Sequence, residues 1–170
     1  SADIRLVDCV GYAVNSALGY QAEEGPRMVN TPWYDYAIPF QEAAEIGTKK
    51  VITDHSTLGI VITTDGSITD IPAEDYEPAA DRVVAELAEI GKPFVVVYNT
   101  KNPESDATAE AVAAMQDKYG VSVMPLDISA LELDDVLGIL RELLMEFPVT
   151  EVNVGLPRWM EELDGKHWLR

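Results

Sequence analysis

The sequence contains a single cysteine, Cys9, so no disulfide can form within the chain. A lone thiol fits a reducing cytosol. No apolar run is long enough to span a bilayer, and the first residues show no signal-peptide pattern, so we expect neither. The sequence also has no G-x-x-x-x-G-K-[ST] phosphate loop, which excludes a self-sufficient nucleotide site of that class.

Basic residues are scarce, with 12 Lys and Arg against 30 Asp and Glu and a formal net charge of −18. This charge repels nucleic acid and anionic lipid, so we expect neither as a direct partner. It also repels ATP unless Mg²⁺ and local donors offset it. With 170 residues, 47% of them hydrophobic, the composition is that of one globular domain with a full core.

Hydrophobic periodicity predicts an alternating order of strands and helices. The predicted strands are 4–8, 59–64, 94–98 and 121–128, and the predicted helices are 40–55, 75–90, 105–119 and 134–147. Four strands, each followed by a helix, predict an α/β fold with a parallel sheet and right-handed crossovers. The continuously apolar run 94–98 is typical of a strand buried on both faces.

Residues 12–39 are predicted to form a long irregular segment, because glycine and proline recur along them. Such a length is unusual inside a compact domain and makes the segment a candidate for function or partner binding. Its aromatic residues are Trp33, Tyr34 and Tyr36. They fit either an exposed contact or rings that fold back onto the core.

Polar residues stand at the carboxyl ends of the predicted strands, where ligands of parallel sheets bind. They are Asp8, Asp65, Asn99 and Ser129. Asp8 opens a D-x-x-G pattern that ends at Gly11. In nucleotide triphosphatases this carboxylate acts on Mg²⁺ through water and the glycine amide faces the γ-phosphate. The pattern is short, and Asp8 also fits a strand-end aspartate that accepts backbone hydrogen bonds.

Other classes of site fit the sequence less well. A response-regulator receiver would use Asp8, a threonine of Thr63-Thr64 and Lys101, but its acidic pair on an earlier strand is absent. A zinc site lacks ligands, because the only cysteine and the two histidines are far apart in sequence. We therefore expect Cys9 to be a small buried hydrophobe.

Five strings carry a resemblance to a known family: IRLVDCVGY, GPRMVNTPWY, PFQEAAEIGTKKVI, HSTLGIVITTDGSI and HWLR. Together they resemble the nucleotidase domain of the stage IV sporulation protein A family, over nearly all of residues 4–170. The resemblance implies a three-layer, mostly parallel α/β sheet of the P-loop NTPase class, similar to translation-factor GTPases. It also implies that residues 1–148 are a partial ATPase domain and that 149–170 form a tail or linker toward the next domain.

The same resemblance implies an activity and a location. Members of the family hydrolyse ATP with Mg²⁺ and polymerise into the basement layer of the bacterial spore coat. They act in the mother-cell cytosol at the outer forespore membrane, which they reach indirectly through the anchor stage V sporulation protein M. The implied partners are therefore further copies of the protein itself, this anchor and other spore coat proteins.

The resemblance assigns roles to individual residues. Asp8 matches the Walker B aspartate, which contacts Mg²⁺ through water, and Gly11 matches the switch glycine. The nucleotide-binding positions would be Asn99 and Lys101, within the N-T-K-N segment that matches N-K-x-D of GTPases, and Ser129, which begins a weak S-A-L base-loop motif.

Asn102 stands where GTPases carry the aspartate that accepts two hydrogen bonds from guanine. An amide cannot accept both bonds, and the unmatched pair costs about 1–3 kcal/mol. The sequence therefore argues against guanine, in line with the family's use of ATP.

The resemblance also implies that the phosphate loop and a pair of sensor threonines lie upstream of Ser1. Thr63-Thr64 is not that pair, and we expect it to pack or hydrogen-bond locally. Without the phosphate-loop strand, two sheet edges are left to close on each other or to be filled by another chain or by the upstream segment.

We expect the chain alone to bind ATP weakly and not to hydrolyse it. A purely structural assembly module, with contacts through 12–39 and the tail, is the alternative function.

Overall fold

The computed structural model describes residues 4–14, 16–17, 21–22 and 25–147. The predicted tail 149–170 lies outside these residues. Within the described ranges, no helix has both the length and the apolar character needed to cross a membrane.

The elements follow one another in the order predicted from residue 40 onward. They are β1 (Gln21–Ala22), β2 (Gly25–Pro26), β3 (Met28–Thr31), β4 (Tyr34–Pro39), α1 (Phe40–Lys50), a π-helical turn (Val51–His55), β5 (Gly59–Thr64), α2 (Ala73–Glu89), β6 (Phe94–Asn99), α3 (Asp106–Tyr119), β7 (Val123–Leu126), a 3₁₀ turn (Ile128–Ala130) and α4 (Leu133–Met145). The prediction of the four helices is confirmed, with boundaries that differ by one or two residues at most ends.

Strands β5, β6 and β7 form one parallel sheet in that order. The central strand β6 is buried on both faces, as its apolar run predicts. Its alternate residues join two separate cores: Val96 and Tyr98 pack with α2 and α3, whereas Val95 and Val97 pack with α4. The sheet is therefore the middle layer of three, and the α/β prediction is confirmed.

Helix α3 shows how local sequence sets an element's limits. The Ser105 hydroxyl accepts a hydrogen bond from the Thr108 amide at the amino end. At the carboxyl end Gly120 adopts a left-handed conformation with φ of 68°, which only glycine reaches without strain. Both signals are readable in the sequence, and they stand at the ends of the helix predicted at 105–119.

The prediction of a strand at 4–8 is wrong. No described residue pairs with this segment, and side chains such as Ile4 and Leu6 are 60% and 81% exposed. A strand forms only where a neighbour satisfies its backbone hydrogen bonds, and periodicity cannot reveal whether one is present. The parallel sheet accordingly has three described strands instead of four. Cys9 shares this uncovered segment and is exposed, so its predicted burial is also wrong.

The prediction of an irregular segment at 12–39 is wrong as well. Its described residues include two antiparallel hairpins, β1–β2 and β3–β4. In the second hairpin Val29 pairs with Ile38, and Pro32 and Trp33 form the turn. Ile38 is buried where α1 packs against the hairpin.

Candidate functional site

Two loops meet at the carboxyl edge of the parallel sheet, where ligands of such sheets bind. Asp65 follows β5 and Thr100 follows β6. The fully buried Thr100 hydroxyl donates to Oδ2 of Asp65 over 2.5 Å. The Ser67 amide donates to Oδ1 of the same carboxylate over 2.9 Å. The carboxylate of Asp65 therefore joins the two loops.

Asp65 is ionised at neutral pH for a physical reason that the structure shows. Partial burial by itself raises the pKa of this carboxyl, but hydrogen bonds from Ser67 and Thr100 stabilise the charge and hold the pKa below its ordinary value. The charged form is thus part of the folded arrangement of the two loops.

The loop after β6 is held by hydrogen bonds between its backbone and nearby hydroxyl groups, and two of its side chains lie outside the core. The Asn102 amide donates to the Thr100 hydroxyl over 3.1 Å, and the Thr108 hydroxyl donates to the Asn102 carbonyl over 2.9 Å. The Lys101 amide donates to the Ser67 hydroxyl over 3.1 Å. The side chains of Lys101 and Asn102 are exposed at this edge.

A third loop joins the same edge through Asn99. The Asn99 side-chain oxygen accepts from the Ile128 amide over 3.0 Å. The next residue, Ser129, is exposed, and its amide and hydroxyl both donate to Oδ1 of Asp127. The structure therefore brings together the predicted nucleotide-binding residues Asn99, Lys101 and Ser129.

The other two predicted site residues lie on the N-terminal segment 4–14. Asp8 is exposed, and its Oδ1 accepts the amide of its own neighbour Cys9 over 2.9 Å. The Gly11 amide donates to the Thr48 hydroxyl on α1 over 3.0 Å. The Tyr12 hydroxyl, next along the chain, donates to Glu86 on α2. This segment lines an open cleft of about 370 Å³ opposite β5.

Thr64 makes the local hydrogen bond expected of the Thr63-Thr64 pair, because its hydroxyl accepts the Gly66 amide over 3.1 Å. The partnership of Thr100 with Asp65 was missed from sequence, where Thr100 appeared only as part of the N-T-K-N segment. The signal was available, because both residues directly follow parallel strands and such ends meet at one edge.

The described residues fit part of a bound Mg²⁺–ATP. Asp8 offers one exposed carboxylate, which suits a contact to Mg²⁺ through water. Within 4–14, 16–17, 21–22 and 25–147 no group of three or more His, Cys, Asp or Glu side chains is placed to hold a metal ion. The sequence has no phosphate loop either. The triphosphate and its ion therefore need groups beyond those described.

Comparisons with known proteins identify the family of the chain. The family model for the stage IV sporulation protein A ATPase domain matches residues 1–148. Stage IV sporulation protein A of Bacillus subtilis (strain 168) and that of Bacillus anthracis are each 54% identical over 168 residues, 99% of this chain. The protein of the same name from Clostridioides difficile (strain 630) is 45% identical over 170 residues, 100% of the chain.

The chain spans 34% of the length of each Bacillus relative and 35% of the Clostridioides one. No solved structure matches it significantly. The family match nevertheless covers most of the chain, and the identity runs through nearly all of it. The chain therefore belongs to the family of the stage IV sporulation protein A ATPase domain.

Proposed function

We propose that the chain is the base-binding half of the ATPase domain of a spore coat morphogenetic protein. In this proposal the protein binds ATP with Mg²⁺ and hydrolyses it, and the sheet edge around Asn99 receives the adenine. The domain is of the P-loop NTPase class, with its phosphate-loop strand supplied by polypeptide beyond these residues.

The observation that carries the proposal is the joining of three loops at one sheet edge. Asn99 holds the loop that contains Ser129 through the Ile128 amide, while Asp65 holds the loop that contains Lys101 through Thr100. Both ties use buried or part-buried groups, so the edge is fixed before any ligand arrives. A fixed edge lowers the entropic cost of binding a flat base.

Each residue of the edge has a role in this proposal. The aliphatic part of the Lys101 side chain packs on one face of the base. The exposed side-chain amide of Asn102 faces the polar edge of the base and lacks the paired acceptors that guanine needs. Ser129 borders the base from the third loop. Asp8 contacts Mg²⁺ through water, and Gly11 contributes its amide near the γ-phosphate once it leaves the Thr48 hydroxyl.

The proposal extends to the cell. The protein polymerises on the outer forespore surface, in the mother-cell cytosol, as the basement layer of the coat. Stage V sporulation protein M anchors it, so it meets the membrane indirectly, and other coat proteins bind to the finished layer. The names of the relatives support a sporulation role, and the net charge of −18 supports the absence of direct contact with anionic lipid.

A second candidate is a structural assembly module that does not hydrolyse ATP. Two observations favour it: the Gly11 amide is already bonded to Thr48, and the sequence lacks a phosphate loop. In this alternative the chain contributes contacts between subunits, and nucleotide serves at most to prepare the polymer.

A chimera separates the two candidates. This chain replaces the matching segment of the Bacillus subtilis relative, and phosphate release and sedimentable polymer are measured with Mg²⁺ and ATP. We expect both in the parent chimera, and loss of phosphate release in Asp8→Ala. The matched control is Asp70→Ala, which removes another exposed carboxylate and should leave hydrolysis unchanged.

Three results decide between the candidates. Loss of polymer together with hydrolysis in Asp8→Ala supports the ATPase proposal. Assembly that survives without hydrolysis makes the structural module the primary function. A parent chimera that releases no phosphate, although it is folded and the unaltered relative is active, contradicts the ATPase proposal.

A further inference from the structure

The hairpin β3–β4 carries three aromatic side chains that the fold leaves exposed. Trp33, Tyr34 and Tyr36 are 40%, 38% and 64% exposed, and we call them the aromatic hairpin. The rings of Tyr34 and Tyr36 lie side by side, with centroids 5.2 Å apart and planes tilted by 38°. A two-stranded hairpin that displays clustered aromatic rings is marginally stable by itself and gains from being covered.

The hairpin β3–β4 packs against α1 near its base and again at its turn. Alternate residues of a strand share a face, so Tyr36 lies on the same face of β4 as Ile38. Ile38 is 3% exposed beside α1, whereas Tyr36 is in solvent. At the turn, the Trp33 ring lies so close to Gly47 on α1 that an added Cβ would meet it at 3.2 Å. Among the described residues, the face that carries Tyr34 and Tyr36 therefore stays exposed between these two contacts.

Charge distinguishes this surface from the acidic helices α2, α3 and α4. Residues 26–50 carry three basic and three acidic side chains, Arg27, Lys49, Lys50, Asp35, Glu42 and Glu45, and so have no net charge. The entire net charge of −18 consequently belongs to the residues outside this segment. Contact between two copies through the acidic helices would bring like charges together, which costs affinity.

From these observations we propose that the aromatic hairpin is a contact between two copies of this chain. The inference rests on the proposed self-assembly and names the surface that carries it. Tyrosine and tryptophan are the residues that most often anchor protein interfaces. A second copy is the occupant that the charge favours, because this neutral segment is where two strongly acidic chains approach with little repulsion.

The basic groups beside the aromatic hairpin strengthen the argument. The Lys50 Nζ lies 6.0 Å from the centroid of the Trp33 ring, and the Arg27 guanidinium lies 5.4 Å from that of Phe40. These cations reduce the negative potential that surrounds the rest of the molecule. They therefore lower the repulsion that a second acidic copy meets at this surface.

Sedimentation velocity of the chain over a range of concentrations tests the proposal. We expect self-association of the parent, and an association constant lower by about tenfold or more in Tyr36→Ser, in line with the loss of one interface anchor. The matched control is Leu133→Ser, which removes a 72% exposed apolar side chain on α4 and should leave association unchanged. Circular dichroism and urea unfolding verify that each variant is folded.

Cross-linking gives a second readout that keeps the aromatic rings. In a Cys9→Ser background, Pro32→Cys places a thiol at the exposed turn beside Trp33, and Ala130→Cys places one on the exposed 3₁₀ turn. A short bismaleimide should give covalent dimers with Pro32→Cys in preference to Ala130→Cys.

A chain that stays monomeric overturns the proposal and assigns the surface to a different protein partner. Association that is equally strong in Tyr36→Ser, or cross-linking favoured at position 130, also overturns it. Neither result touches the proposed ATP hydrolysis, because these measurements use no nucleotide. Failure of phosphate release in the chimera, conversely, leaves this contact standing.

Discussion

Replacing Thr100 with valine removes one hydroxyl from the centre of the candidate site while keeping the shape of the side chain. That hydroxyl donates to Oδ2 of Asp65 over 2.5 Å and accepts the Asn102 amide over 3.1 Å. Thr100 is fully buried, so water cannot replace the hydroxyl in the variant. Both partners lose a hydrogen bond at once.

The magnitude follows from what is left unpaired. A hydrogen bond to a charged group contributes about 1.5–3 kcal/mol, and an unsatisfied amide costs about 1–3 kcal/mol where it is buried. Asp65 and Asn102 keep some access to solvent, so we expect a total loss of about 2 kcal/mol, near the lower end of these ranges. With a urea slope of about 2 kcal/mol per molar, the unfolding midpoint falls by about 1 M.

Urea unfolding at pH 7, followed by circular dichroism, measures this change. The matched control is Thr53→Val, which removes a hydroxyl that donates to the Lys49 carbonyl at an exposed helical position. It should change the free energy of unfolding by about 0.5 kcal/mol or less. If Thr100→Val behaves like this control, Asp65 does not hold the two loops together as described.

The remaining predictions concern the same edge of the sheet and its chemistry. In urea unfolding, Gly66→Ala should lower stability by more than Gly91→Ala. Both glycines have positive φ, but only at Gly66 would a Cβ lie 2.6 Å from the Ile71 carbonyl oxygen. Equal losses of stability in the two variants would contradict this. Asp65→Asn should be less stable than the parent at pH 7, and the difference should shrink as pH falls below about 4. The pKa of Asp65 is lower in the folded chain than in the unfolded one, so its charge stabilises the fold above its ordinary pKa. That stabilisation is lost as pH falls through the pKa of the folded state. A difference between Asp65→Asn and the parent that does not change with pH would refute this prediction. Calorimetry of the chain with Mg²⁺ and ATP should give no micromolar binding, and tight binding would show that a phosphate loop is not required.

The sequence predicted well where local signals determine the structure. Ser105 and Gly120 mark the two ends of α3, and the apolar run 94–98 marks the buried centre of the sheet. These signals depend on a residue's own conformational preference or on its side-chain polarity. Neither depends on what the rest of the chain places nearby.

The failures have the opposite cause. The segment 4–8 has strand propensity, but a strand also needs a partner, and no described residue pairs with it. The hairpin β3–β4 was overlooked because proline at its turn and at its end suggested irregular chain, although Tyr34, Tyr36 and Ile38 alternate as a strand requires. The tie between Asp65 and Thr100 joins residues 35 positions apart and becomes visible only when parallel strands bring their ends together.

The most direct test of the central claim is the nucleotide preference of the chimera with the Bacillus subtilis relative. If the edge around Asn99 receives the base, ATP should bind more tightly than GTP. Asn102→Asp, which restores the paired acceptors for guanine, should shift the preference toward GTP by about 1–3 kcal/mol, or roughly 5- to 150-fold. A chimera that binds GTP as tightly as ATP, or whose preference is unaffected by Asn102→Asp, would contradict the assignment of this edge to the base.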